Sequence, residues 1–400
     1  MKYTADLLSN VCSDIRGENY IRALELEKSG HKILKLNTGN PATFGFEMPK
    51  SVKTAINENL HLTLGYCDVR GMAMARKSIL DYHAKNGIEG LCENDIFIGN
   101  GVSEIASMVA TALFSTGDEV LVPTPCYSLW SNEIILRGAT PVFYRCDEQN
   151  EWNPDTENIE KLISNKTKAI LIINPNNPTG AVYSREILLK ITEIARKNKL
   201  IILSDEIYDR LLFDGAVHTS IASLSVDVPV ITMNGLSKSH CLCGFRCGWL
   251  AVSGEEKDKK EICNALLKIA SIRLSANAIM QTVIPAAISD TEYTASLLRR
   301  GGRLYEQRKA TFLELDKIEG LSYVKNKAGF YVFPKLDEKL SEKLDDSEFA
   351  KRLLLEKHIL LVPGSGFSHL TKDHFRIVML PKADELKNAV RAMGEFLLQI

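Results

Sequence analysis

The sequence predicts an α/β fold: a large domain built on a mostly parallel seven-stranded sheet, joined to a smaller α+β domain. Two observations lead there. Short, nearly continuous apolar runs recur through the middle of the chain, separated by segments with helical periodicity, and roughly the last hundred residues lose that alternation. Runs that are apolar at every position suit strands buried on both faces, and strands joined through helices run parallel.

The seven runs are DIFIGN (95–100), DEVLVP (118–123), TPVFYRC (140–146), KAILIINP (168–175), KLIILSDE (199–206), PVITMNG (229–235) and CGWLAVS (247–253). Between two of them, SREILLKITEIARKN (184–198) has apolar residues at 187, 188, 191, 194 and 195, one face of a helix. A long helical stretch is expected from about 255 to 315. Short strands follow near SYVKNK (322–327) and FYVFPKL (330–336), then a helix around 346–357 and strands at ILLVPG (359–364) and FRIVML (375–380). The large domain is therefore expected at 45–290. The small one is expected to combine 1–44 with 291–400, its N-terminal segment packing on the C-terminal module.

A chain of 400 residues exceeds what one hydrophobic core usually serves, which agrees with two domains. A hydrophobic fraction of 45%, a charged fraction of 25% and a net charge of −1 are those of an ordinary soluble protein, and they argue against a nucleic-acid or membrane surface. No apolar run reaches the roughly 20 residues of a spanning helix, and the start of the chain does not read as a signal peptide. Nine scattered cysteines suggest reduced thiols and a cytoplasmic protein rather than a disulfide framework. Cys241, Cys243 and Cys247 cluster beside His240, but their spacing is not that of a zinc knuckle; small residues packed at a buried loop explain them better, and no metal is expected.

In an open α/β sheet, ligands bind at the carboxyl ends of the strands. The polar residues falling there are Gly101, Val102 and Ser103; Tyr127; Asn177 in NPNNPTG; Asp205 and Tyr208; Ser237 and Lys238. Arg246 stands just before the last strand. Gly-Val-Ser opening a helix offers backbone N–H groups and a hydroxyl to a phosphate. Ser237 and Arg246 add a hydroxyl and a permanent cation. Tyr127 offers a flat face, Asp205 a partner for a protonated pyridine nitrogen, and Tyr208 with Asn177 donors for a phenolate oxygen. Lys238 can capture an aldehyde. Those four groups together are the functional groups of pyridoxal 5′-phosphate (PLP). Each piece alone has a plain structural explanation, NPNNPTG as a turn-rich loop and a lone lysine as surface; the weight lies in their joint order.

That order resembles the fold-type I, class I/II PLP-dependent aminotransferases. The most specific string is SKSHCLCGFRCGW (237–249), with NPNNPTG (174–180) and SDEIYDRLLFD (204–214) equally at home, and the resemblance spans nearly the whole chain. It is strongest to the bacterial alanine–glutamate (glutamate–pyruvate) aminotransferases, through NVCSDIRG (10–17), LKLNTGNPATFGF (34–46), GYCDVRG (65–71), RRGGRLYEQR (299–308) and DHFRIVMLP (373–381). The resemblance implies the PLP transferase fold and exchange of an amino group between an L-amino acid and a 2-oxo acid, with alanine/pyruvate and glutamate/2-oxoglutarate as the leading pair. It implies Lys238 as Schiff-base lysine and proton shuttle, Asp205 on the pyridine nitrogen, and Tyr208 with Asn177 on the ring oxygen. Tyr127 is implied to stack on the ring, and Val102, Ser103, Ser237 and Arg246 to hold the phosphate. Tyr66 is implied to reach the phosphate of a neighbouring subunit in a homodimer with shared sites. Arg376 is implied to grip the substrate carboxylate with help from Gly39, and Arg16 to meet a distal carboxylate.

Some positions depart from the family pattern. Gly235 stands where many members carry Ser or Thr, Ser128 replaces a common proline after Tyr127, and Ser13 and Glu18 flank Asp-Ile-Arg-Gly where Tyr and Pro are usual. Ser13 leaves the side-chain selectivity open, so a specialised amino acid is an alternative substrate. A PLP-dependent carbon–sulfur β-lyase is the alternative reaction. A PLP-binding sensor is disfavoured because no DNA-binding pattern precedes residue 30.

Overall fold

All seven apolar runs pair into one sheet. The structure, a computed structural model, describes residues 3–11, 15 and 17–400. Across the sheet the strands run Ile96–Asn100, Cys247–Ser253, Val230–Gly235, Ile201–Asp205, Thr167–Ile173, Glu119–Thr124, Thr140–Asp147 and Asn153–Pro154. The neighbours from Val230–Gly235 to Thr140–Asp147 are parallel, while Cys247–Ser253 is antiparallel to both strands beside it. The eighth strand, Asn153–Pro154, was not among the expected seven; it is a two-residue antiparallel edge piece.

Every residue of Cys247–Ser253 and of Val230–Gly235 is buried, as their nearly continuous apolar sequence suits in central strands covered on both faces. One cover includes helix Val102–Leu113, whose Ile105, Ala106 and Val109 pack with Phe97, Leu203, Ile231 and Leu250. The other includes helix Arg185–Asn198, where Leu188, Ile191, Ile194 and Ala195 are buried as the periodicity predicts. Ser184 starts that helix by accepting from the Ile187 N–H at 3.3 Å, and Lys199 ends it in the left-handed region.

The expected continuous helix from 255 to 315 is instead five helices: Glu256–Arg273, Ala278–Thr282, Ile284–Ser289, Thr291–Leu298 and Arg303–Leu315. The breaks have local causes. Leu274 takes a positive φ of 68°, Asp290 caps a new helix by accepting from the Tyr293 N–H, and Gly301-Gly302 interrupts before Arg303. In the C-terminal module the expected strands shrink to two-residue pieces, except Phe375–Val378, and helix Asp346–Lys357 matches expectation. Leu34–Lys35 pairs in parallel with Ile359–Leu360, so the N-terminal segment joins C-terminal backbone.

The C-terminal module is tied to the sheet by hydrogen bonds and charge. Thr124 Oγ1 donates to the Ser368 carbonyl at 2.5 Å and the Cys126 N–H to the Phe367 carbonyl at 2.9 Å. Glu148, just after strand Thr140–Asp147, faces Lys335 at 3.4 Å and His374 at 3.4 Å. Burial pulls the His374 pKa down, but its hydrogen bond to Asp373 and the adjacent Glu148 carboxylate outweigh burial and leave it raised.

Candidate active site

The parallel strands place the ends of Ile96–Asn100, Ile201–Asp205 and Val230–Gly235 on one edge. The reversed strand brings its beginning, Cys247, to that same edge. This is why Arg246 precedes its strand while the other polar residues follow theirs. Gly99, Gly248 and Gly235 are register partners across three adjacent strands. A Cβ on Gly248 would lie 2.6 Å from the backbone of Gly101 and Val102, so only glycine lets the turn into helix Val102–Leu113 close over the sheet. Gly101 itself has φ 84° and would meet Arg246 Nη2 at 2.4 Å with any Cβ. The guanidinium therefore lies directly on the helix start; Ser103, on the first turn of that helix, is exposed, and Ser237, just past strand Val230–Gly235, is buried. A cation and free N–H groups on one concave turn form an anion cradle.

Lys238 follows strand Val230–Gly235. Its Nζ donates to the Gly39 carbonyl at 2.9 Å and lies 3.9 Å from Cys243 Sγ. Cys243 Sγ in turn donates to the Ser237 carbonyl at 2.9 Å, whereas Cys247 Sγ turns to the Met280 carbonyl, so these cysteines serve separate backbone partners. Tyr127 is half-buried, within electrostatic reach of both Lys238 and Arg376.

Asp205 ends strand Ile201–Asp205 and is 5% exposed. Burial raises its pKa against the opposing hydrogen bonds from Trp130 Nε1, at 3.0 Å, and the Ile207 N–H. A buried carboxylate with so few donors is suited to a cationic partner. Tyr208 lies three residues on, its hydroxyl 2.8 Å from that of Tyr331. Burial, then Tyr331, hold the Tyr208 pKa well above the phenolic range, so it is a neutral donor at physiological pH.

Arg376 is 1% exposed in strand Phe375–Val378. Its guanidinium is sandwiched between the Tyr331 ring at 4.6 Å and the Phe367 ring at 4.7 Å. Nη1 donates to Asn177 Oδ1 at 2.9 Å and Nη2 to the Asn37 carbonyl, while Nε has no partner. Burial lowers its pKa, yet a guanidinium stays charged. Among the described residues no carboxylate forms an ion pair with it, so this buried cation is suited to an external anion.

The expected site residues Gly39, Asn177, Asp205, Tyr208, Lys238 and Arg376 thus converge, with Val102, Ser237 and Arg246 on three segments at the same sheet edge. Tyr66 does not join them within the chain; it is 83% exposed. Arg16 and Ser13 lie outside the described residues. Trp130, Tyr331 and the Asn37 carbonyl were not foreseen. Trp130 stands three residues after Tyr127, a signal that could have been used; Tyr331 sat inside a run read only as a strand.

The model of aminotransferase class I and II matches residues 31–393. The chain belongs to this family. It is 46% identical to the glutamate-pyruvate aminotransferase AlaA of Haemophilus influenzae, over 98% of this chain and 97% of that protein. It is 42% identical to an alanine aminotransferase of Mycobacterium tuberculosis, over 98% of this chain and 91% of that one. The crystal structure of an aminotransferase from Escherichia coli superposes with a TM-score of 0.97 at 43% identity, covering 100% of this chain and 98% of the other. No helix of this aminotransferase, among the described residues, is long and apolar enough to cross a membrane.

Arg376→Lys tests whether this guanidinium receives a substrate carboxylate. Arg376→Lys keeps a charge but loses the planar fork and the stacking. One lost charge-assisted hydrogen bond, about 2 kcal/mol, corresponds to roughly a thirtyfold rise in KM for the amino acid with a smaller change in kcat. Steady-state kinetics read it, and an unchanged KM removes Arg376 from the carboxylate site.

Proposed function

We propose that the protein is a PLP-dependent aminotransferase exchanging amino groups between alanine/pyruvate and glutamate/2-oxoglutarate. The observation that carries this is the convergence of one amine, one buried carboxylate and one buried, anion-free guanidinium, Lys238, Asp205 and Arg376, beside an anion cradle at Gly101–Val102 and Arg246. The donor set fits PLP group by group. Val102, Ser103, Ser237 and Arg246 would hold the phosphate, Asp205 the ring nitrogen, Tyr208 and Asn177 the ring oxygen, Tyr127 the ring face and Lys238 the aldehyde. Bound there, PLP supplies an electron sink for the bond broken at the substrate Cα.

The chain's own residues do the rest. Arg376 and the Gly39 backbone orient the α-carboxylate, fixing which bond at Cα faces Lys238. Lys238, once in its neutral form, would act as the general base toward the substrate Cα proton. Asp205, 5% exposed, would hold the ring nitrogen's proton in a water-poor setting. Tyr208 would donate to the ring oxygen.

The relatives named for alanine and for glutamate–pyruvate exchange support the substrate pair, and Arg16 would meet the distal carboxylate of glutamate. Leu60, Leu62, Leu64, Ile272 and Leu274 are exposed, as is Tyr66, which suits a homodimer in which Tyr66 completes the partner's phosphate site. Small-molecule substrates and a cytoplasmic location complete the reading; we propose no nucleic-acid or membrane partner.

The test is visible absorption of the PLP-loaded protein titrated with single amino acids and no oxo acid. Alanine and glutamate should convert the band stoichiometrically to that of the aminated cofactor. Release of pyruvate and ammonia from a cysteine-type substrate would transfer the assignment to a β-lyase, and conversion only by other amino acids would replace the substrate pair.

Cofactor binding should also stabilise the fold in a pH-dependent way. Burial raises the Asp205 pKa above its unfolded value. In the PLP-free protein this group therefore favours folding below the unfolded carboxylate range, and that contribution is lost as pH rises through the folded value. A protonated ring nitrogen offsets the loss. The Tm gain on adding PLP is expected to be larger near neutral pH than in mild acid, and this pH difference should flatten in Asp205→Asn. Equal pH dependence in both proteins would separate Asp205 from the ring nitrogen.

A further inference from the structure

We propose that Tyr331 is a positioning residue with two separable functions: its hydroxyl strengthens Tyr208 as a donor, and its ring holds the Arg376 guanidinium. The proposal rests on the PLP reading above and assigns a role to a residue outside the expected site.

Tyr331 touches both halves of the site. Its hydroxyl lies 2.8 Å from that of Tyr208, and its ring lies 4.6 Å beneath the Arg376 guanidinium. It is 2% exposed, packed edge-on to Tyr208 at 5.6 Å and against Phe330 at 4.9 Å. Strand Tyr331–Val332 is antiparallel to Phe375–Val378, with Tyr331 opposite Val378, so the same small sheet carries the tyrosine and the arginine. The N-terminal segment accommodates it: a Cβ on Gly39 would stand 2.1 Å from the Tyr331 hydroxyl and 2.8 Å from the Phe330 ring. Gly39 is thus the residue type that leaves the hydroxyl its place.

Proton counting fixes the direction of the bond. Tyr208 has one hydroxyl proton. If that proton points to the cofactor's ring oxygen, the 2.8 Å contact can only be filled by the Tyr331 proton, donated to the Tyr208 oxygen. Accepting this bond polarises Tyr208 and makes it a stronger donor. A stronger donor stabilises the negative ring oxygen, so the proton that this oxygen shares with the Lys238 nitrogen leaves at lower pH.

The test compares PLP-loaded wild type, Tyr331→Phe and Tyr331→Leu by spectrophotometric pH titration of the visible band, with KM measured for each. Tyr331→Phe keeps the ring and should raise the pKa of the band by roughly half a unit while leaving KM for the amino acid nearly unchanged. Tyr331→Leu should show the same pKa rise and, without the ring under Arg376, a KM raised about fivefold. Gly39→Ala, which displaces the hydroxyl by another route, should shift the band in the same direction. A Tyr331→Phe band that titrates as in wild type overturns the hydroxyl role while the cofactor reading stands. A wild-type protein that takes up no PLP overturns both.

Discussion

A Lys238→Ala protein is expected to lose turnover by about four orders of magnitude while retaining its fold and some affinity for PLP. Two losses combine. The covalent anchor disappears, and so does the base that moves the proton at Cα; general acid–base catalysis alone contributes roughly 10²–10⁴. The fold should survive because the lysine makes one short polar bond, to the Gly39 carbonyl, and a long one to Cys243 Sγ at 3.9 Å, with a distant face of the Phe330 ring at 6.0 Å. The phosphate cradle and Asp205 remain, so binding should weaken rather than vanish. The measurement is single-turnover conversion of alanine by the purified variant, with PLP uptake followed by absorption. Activity above about a hundredth of wild type would sink Lys238 as the base.

The second large effect is expected at Asp205. Asparagine is nearly isosteric and can still accept from Trp130 Nε1, so Asp205→Asn should fold normally. What it removes is a negative charge in a site almost closed to water. At an effective dielectric of about 20, an ion pair near 4 Å is worth about 4 kcal/mol. Even partial loss of that term as charge develops on the ring corresponds to a fall of roughly 10²–10³ in the rate of Cα deprotonation. Stopped-flow absorption with deuterated and protiated alanine isolates that step. A deprotonation rate within about tenfold of wild type would mean that Asp205 is structural and that another group governs the ring nitrogen.

The sheet was legible because its strands are unbroken apolar runs, a pattern forced by burial on both faces. Asn153–Pro154 was not, since two residues containing a proline carry no periodic signal and owe their pairing to the turn that precedes them. The C-terminal module was blurred for a similar reason: its strands are mostly two residues long and are held by partners distant in sequence. The breaks between 255 and 315 were written locally, in Asp290 and Gly301-Gly302, and could have been read there.

The candidate site divides along the same line. Asp205, Lys238 and Arg246 were legible because strand ends carry ligands in this architecture. Tyr331 and Trp130 were not, because each acts through a partner more than seventy residues away in the chain: Tyr208 in one case, Asp205 in the other. An aromatic in an apolar run looks like core until the group at its polar end is known.

The reversed direction of Cys247–Ser253 makes the chain from Lys238 to Arg246 a caliper. In the proposed reading one jaw would meet an aldehyde and the other a phosphate, and the gap is set by the seven residues 239–245 together with the Gly235–Gly248 pairing at their base. Parallel strands alone would have put those jaws on separate crossovers, free to drift apart as helices lengthen or loops are inserted. Here a single inserted residue would miscalibrate the instrument, while long insertions elsewhere around the sheet would leave its reading untouched.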